Sequence, residues 1–165
     1  LADGVAGSVL CIETFEHVFE VRKAFDEVFR ILKPGGLFVI TSPLNFRIHG
    51  YPDDYWRMTP QCLRRMLAPY AARVVGFQGH RSFPHTVMAL AAKAPAPVDF
   101  VSRAGRLDFA YQTWLKETEA SLSLGQKLRR RVARVYRSKG ERNQIAAYYH
   151  AELLIELAPA LAQTG

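Results

Sequence analysis

Leu32-Lys33-Pro34-Gly35-Gly36-Leu37-Phe38-Val39-Ile40 (residues 32–40) ends one secondary element and begins another. Lys33 offers a cation to the negative end of a helix dipole, Pro34 stops the helix, and the glycines can turn the chain at positive φ. Leu37-Phe38-Val39-Ile40 is then an apolar run without alternation, the pattern of a strand covered on both faces of a parallel sheet. Upstream, Val18, Val21, Phe25, Val28 and Leu32 recur at three- and four-residue steps, with Arg22, Lys23, Asp26, Glu27 and Arg30 mainly between them. That is the stripe of an amphipathic helix. Before it, Ser8-Val9-Leu10-Cys11-Ile12 is a second unalternating apolar run. Strand, helix and strand with short joints predict a βαβ unit with a right-handed crossover.

Downstream, Thr59-Pro60 pairs a good N-cap with proline at the first helical position, predicting a short helix to about Leu67 that buries Leu63, Met66 and Leu67. Arg73–Gln78 and Thr86–Ala92 read as strands. Their connection is too short for a crossover helix, so they are expected to pair antiparallel. One reversed strand then joins an otherwise parallel sheet. Lys93-Ala94-Pro95-Ala96-Pro97 reads as a linker. Beyond it, Leu107, Tyr111, Leu115 and Leu122 form one helical stripe and Leu124, Leu128, Val132 and Val135 another, and Ile145–Leu161 reads as a third helical stretch broken by Pro159. The expected division is an α/β domain over 1–94 and a helical extension over 95–165.

The chain has 165 residues, 49% hydrophobic and 22% charged, which is the composition of a core-forming protein and excludes disorder, collagen-like sequence and a disulfide scaffold. No apolar run approaches the ~20 residues that span a bilayer, so the chain is expected not to be transmembrane. The opening Leu1-Ala2-Asp3-Gly4 lacks a basic segment and an apolar segment of the secretory kind. Cys11 and Cys62 fit neither a CxxC nor a zinc-ligand spacing. The expectation is a cytoplasmic protein with reduced cysteines and no metal. The net charge of +7 resides in Gly125–Arg142, whose lysines and arginines are opposed only by Glu141. A nucleic acid or an anionic membrane surface could bind residues 125–142. Tyr136 is the single aromatic interleaved there to stack bases, which favours a solvated helix face whose apolar side packs on the domain or on a partner.

Leu10-Cys11-Ile12-Glu13-Thr14-Phe15-Glu16-His17-Val18 and Arg30-Ile31-Leu32-Lys33-Pro34-Gly35-Gly36-Leu37-Phe38-Val39-Ile40 together resemble class I S-adenosylmethionine-dependent methyltransferases of the type 11-like kind. The first stretch is similar to the family's fourth strand and its E-H-V segment, the second to its L-K-P-G-G turn and fifth strand. Asp53-Asp54-Tyr55-Trp56-Arg57-Met58-Thr59-Pro60 resembles a D-Y-W-R-x-T-P segment of one branch. The resemblance covers residues 1–94. It implies an α/β fold: the C-terminal half of a Rossmann-like methyltransferase sheet, mostly parallel with one antiparallel strand, plus a helical C-terminal extension. It also implies S-adenosylmethionine as cofactor of the intact protein and a small-molecule or glycan-type methyl acceptor. The family's glycine-rich loop after its first strand, and the acidic residue ending its second, have no counterpart in this sequence. Gly35-Gly36 follows a helix and precedes a strand, the wrong context for a nucleotide loop. The expectation is therefore a fragment carrying the acceptor-side half, inactive alone, with Ser8–Ile12 left as an apolar sheet edge prone to association.

In open α/β sheets ligands bind outside the carboxyl ends of the strands, which selects Glu13–His17 and Thr41–Asn45. Glu13 and Thr14 are expected to face the cofactor, Glu13 because a carboxylate just past a buried strand needs a partner. Glu16 and His17 are expected at the acceptor, with His17 titrating in the range of a general base. The plainer alternative has Glu16 complementing a helix's positive end and His17 in the helix's first turn. His49, Tyr55, Trp56 and Arg57 lie in a long irregular segment before Thr59. Such a loop often covers an active site, and its aromatics serve equally well to pack it down. A second function class is a non-catalytic remnant that acts as an interaction module through its basic helical tail.

Overall fold

The N-terminal apolar run forms β1 (Ala6–Ile12), and the striped segment after it forms α1 (Val21–Ile31). In this computed structural model residues 1–80, 82–136 and 151–157 are described. A single 3-10 turn, Phe15–His17, intervenes between β1 and α1, so His17 closes a turn rather than opening a helix. Val21, Phe25 and Val28 are the buried face of α1, at the spacing expected.

The chain then enters β2 (Leu32–Pro43) directly. Lys33-Pro34-Gly35-Gly36 is an irregularity within this strand: pairing with β1 jumps from Ala6↔Leu32 to Ser8↔Leu37. Gly35 adopts φ 75° there, and a Cβ on Gly36 would lie 2.8 Å from the Lys33 carbonyl oxygen. The cation at the end of α1 is Lys93, whose Nζ donates to the carbonyls of Phe29 (2.6 Å) and Leu32 (2.8 Å) and sits 4.6 Å from the centre of the Phe29 ring. The segment read as a linker thus begins with a helix-capping residue.

Thr59 caps α2 (Pro60–Met66), its hydroxyl accepting from the Cys62 amide at 3.1 Å. Leu63 and Leu67 are fully buried beneath it. β3 (Ala72–His80) and β4 (Phe83–Ala92) pair antiparallel, and β4 also lies antiparallel to β2. β1, β2 and β3 therefore run one way and β4 the other, as expected. Two helices follow, α3 (Phe100–Ala120) and α4 (Leu124–Tyr136), and then β5 (Ala151–Leu157). The sheet order is β1-β2-β4-β3-β5. β5 corrects the expectation of helix over Ile145–Leu161: Ala151 to Leu157 pair antiparallel with Gln78 to Ala72. Its local composition allows a helix, but the open edge of β3 supplies backbone partners that a short isolated helix lacks. The rest of that stretch, like Arg137, Lys139 and Arg142 of the basic segment, lies outside the described residues.

The main core lies on one sheet face, where Phe25 and Val28 of α1 and Leu63 of α2 meet Phe38, Ile40, Val75 and Val87. On the opposite face Phe100 and Ala104 of α3 pack on Ala72, Val74 and Ala92. Nothing among the described residues covers that face at β1, leaving Leu10 66% and Ile12 51% exposed. The strand expected to be covered on both faces is therefore covered on one. α3 docks through its first turns, and the expected stripe fails at Leu107, which is exposed. Leu124, Leu128 and Val132 of α4 are exposed as well, so among the described residues these three do not pack on the domain. Among the described residues no helix is long and apolar enough to cross a membrane.

Candidate functional site

β1 and β2 are parallel, so both carboxyl ends emerge on the same side of the sheet. The chain leaving β1 is held there by the Glu13 amide, which donates to the Thr41 carbonyl at 3.1 Å. Glu13 is the only non-glycine residue with positive φ among those described, at 47°. A residue with a Cβ in that region stores strain, and such strain concentrates at functional sites. Thr14 donates its hydroxyl to the Ile12 carbonyl at 2.9 Å and stays exposed. Glu13 is exposed too, so the burial argument offered for it fails. The buried carboxylate is three residues on.

Glu16 has no accessible surface, because the 3-10 turn directs it under the long loop that follows β2. Its backbone carbonyl accepts from the amides of Tyr55 (2.8 Å) and Trp56 (3.3 Å), which pins that loop over the turn. The Trp56 indole donates to the Val18 carbonyl at 3.0 Å, and Tyr55 packs edge-on against Phe19. Ser42, buried at the end of β2, approaches Oε2 of Glu16 at 3.4 Å. Oε1 of Glu16 is buried without a hydrogen-bond partner, and His17 Nε2 is 3.7 Å away. Burial pushes the Glu16 carboxyl above its ordinary range, and Glu13 adds to that rise. The adjacent histidines and a backbone hydrogen bond oppose the rise.

His17 Nδ1 lies 2.8 Å from the Asp53 carbonyl oxygen, which can only accept, so Nδ1 carries the proton. In the neutral ring Nε2 then holds a free lone pair, the form a base requires. That nitrogen meets His49 Nε2 at 3.2 Å. The loop around His49 is fastened by Asp54, whose side chain is 1% exposed. Arg57 grips both Asp54 oxygens, with 2.6 Å from Nη2 to Oδ2, and also donates to the Arg47 carbonyl. The guanidinium hydrogen bonds hold the Asp54 carboxyl well below the usual carboxylate range.

The structure thus brings together Glu16, His17, His49 and, through Asp54, Arg57. It uses Tyr55 and Trp56 to seat the loop, and it leaves Glu13 and Thr14 at the exposed rim. Glu16 stands in the first turn of the 3-10 helix rather than at α1, which begins four residues beyond His17, and it is fully buried there. Sequence reasoning gave Asp54 no role of its own and reached Ser42 only within Thr41–Asn45. Asp54 had a signal in its three-residue spacing from Arg57. Ser42 had only its place at a strand end.

Residues 1–40 match the model of a family described as a methyltransferase domain. No curated protein matches. Among solved structures, a SAM-dependent methyltransferase from Thermotoga maritima, described as a possible histamine N-methyltransferase, is 18% identical with a TM-score of 0.43. That alignment covers 56% of this chain and 58% of the other. A methyltransferase in complex with the Trm112 methyltransferase activator from Haloferax volcanii is 17% identical, with a TM-score of 0.46 over 56% of this chain and 55% of that one. This chain spans little more than half the length of either.

Proposed function

We propose that the chain is the acceptor-side part of a cytoplasmic S-adenosylmethionine-dependent methyltransferase acting on a small-molecule or glycan-type acceptor. One observation carries the proposal: a fully buried Glu16 and a histidine whose Nδ1 is held by a backbone carbonyl, leaving the lone pair on Nε2, meet at the carboxyl end of β1 beside the parallel β2, within the residues that match a methyltransferase domain. Glu13 and Thr14, at the rim of β1, face the cofactor. The Asp53 carbonyl orients His17 with the Glu16 carboxylate beside it, and His17 Nε2 takes the proton from an acceptor hydroxyl or amine as its oxygen or nitrogen attacks the methyl group and S-adenosylhomocysteine leaves. The loop bearing His49, Tyr55, Trp56 and Arg57 closes over the reacting atoms and excludes water. Positioning supplies most of the acceleration, with effective molarities of ~10⁵ M or above, and the base adds ~10²- to 10⁴-fold.

The test supplies S-adenosylmethionine and a panel of hydroxylated small molecules and glycans to the natural polypeptide that contains residues 1–165. Release of S-adenosylhomocysteine is followed. His17→Ala is expected to lower kcat by ~10²- to 10⁴-fold. An undiminished rate in that variant removes His17 from the chemistry, and no release with any acceptor rejects the proposal.

A further inference from the structure

Nδ1 of His17 is committed to the Asp53 carbonyl at 2.8 Å, and Nδ1 of His49 stands 3.0 Å from Oδ2 of Asp54. The carbonyl accepts only, so His17 presents its proton on Nδ1 and a lone pair on Nε2. Asp54 Oδ2 accepts from the His49 backbone amide, while His49 Nδ1 is buried without a hydrogen-bond partner. The two Nε2 atoms face each other at 3.2 Å, close enough for one to donate to the other or for both to hold one ion. The rings meet obliquely, with centroids 4.8 Å apart and planes at 88°, so both lone pairs can converge on one point between them.

A proton between the two nitrogens serves that contact but leaves a third group without a partner. Oε1 of Glu16 is buried, unpartnered and turned to the same place, 3.7 Å from His17 Nε2. One ligand atom each from Glu16, His17 and His49 falls within 4.8 Å of the others. A cation among them engages all three once the widest pair, up to 4.8 Å apart, closes to about 4 Å. Two nitrogens 3.2 Å apart match ligands held ~2.0–2.1 Å from one ion at a near-tetrahedral angle, and a carboxylate oxygen needs a similar distance. Behind His17 Nδ1 lies a carbonyl of the kind that orients metal-binding histidines, and the Asp54 carboxylate stands 3.0 Å from His49 Nδ1.

We propose that Glu16, His17 and His49 form a site for a borderline divalent cation of the zinc class, with two imidazole nitrogens and one carboxylate oxygen as ligands. Three protein ligands leave a coordination position open, as catalytic rather than structural sites do. An acceptor oxygen bound there would be acidified by the ion in place of the free histidine. That use rests on the methyltransferase proposal; the binding of the ion does not.

The experiment titrates Co²⁺, a coloured stand-in for Zn²⁺, into the chain and reads the visible ligand-field absorption. One equivalent is expected to produce the bands, and Zn²⁺ to abolish them by displacement. His17→Gln and His49→Gln are expected to weaken binding beyond the roughly 10–100-fold typical of a lost outer-shell partner, with Asp54→Asn falling inside that range. Because a histidine variant can fail for reasons of folding, wild-type protein is also followed by long-range ¹H–¹⁵N spectra of its imidazoles. Addition of Zn²⁺ is expected to shift Nε2 of both rings while Nδ1 stays protonated. Absence of bands, equal affinity in His49→Gln, or imidazole spectra unchanged by Zn²⁺ each overturns the proposal. Co²⁺ binding without methyl transfer would leave the site standing and reject only the proposed activity.

Discussion

Replacing Glu13 by glycine and, separately, by alanine isolates the strain at the end of β1. Glu13 sits at φ 47°, with its amide tied to the Thr41 carbonyl, so the neighbouring strand enforces its conformation. A Cβ in the left-handed region costs ~1–2 kcal/mol, which glycine avoids. Glycine gives back ~0.4–1 kcal/mol through the larger entropy of its unfolded chain. The balance places Glu13→Gly above Glu13→Ala by roughly 0.5–1 kcal/mol. With a urea dependence of ~1.5 kcal/mol per M, the midpoints separate by about 0.3–0.7 M at an unchanged slope. Urea unfolding followed by far-ultraviolet circular dichroism reads that gap. Both variants lose the carboxylate, so both are expected to lose cofactor affinity alike while differing in stability. A midpoint for the alanine variant equal to or above that of the glycine variant would refute stored strain at this position.

Three further outcomes follow from particular contacts. Lys93→Met removes two hydrogen bonds from an ammonium to the last carbonyls of α1, and a loss of ~2 kcal/mol is expected in the same unfolding assay, where less than ~0.5 kcal/mol would contradict the capping role. Tyr70→Phe deletes a hydroxyl that is buried without a partner while keeping the ring stacked on Phe38, so the change is expected to be neutral or stabilising by up to ~1 kcal/mol; clear destabilisation would show a partner for that hydroxyl. β1 is an outer strand exposing Leu10 and Ile12, and sedimentation is expected to show association that rises with concentration and is suppressed by Leu10→Lys, whereas a monomer at every concentration in both proteins would contradict the exposed edge.

The parts of the fold legible in the sequence are those where local pattern and tertiary environment agree. The α1 stripe of Val21, Phe25 and Val28, the Thr59-Pro60 start of α2 and the short β3–β4 connection each carry one dominant signal, and each appears where expected. Lys33-Pro34-Gly35-Gly36 was legible as a break but not as an irregularity inside a strand, because the pairing that extends β2 back to Leu32 comes from β1. β5 was invisible for the same reason: Ala151–Leu157 becomes a strand only because β3 offers an edge. At the site, the strand-end rule located Glu13 to His17, but it could not rank the two carboxylates. Which one is buried depends on a loop that returns from residues 53–57 to cover Glu16. The approach of His49 to His17, 32 positions away in sequence, depends on that same loop and on the Asp54–Arg57 clasp, which no local periodicity encodes.

The most direct test of the proposal that this sheet end serves a methyltransferase is calorimetric titration of S-adenosylhomocysteine into the natural polypeptide containing residues 1–165. One binding site is predicted, weakened ~10- to 100-fold by Glu13→Ala through loss of hydrogen bonds to its carboxylate. No binding, or the same affinity in that variant, would contradict the placement of the cofactor at the end of β1.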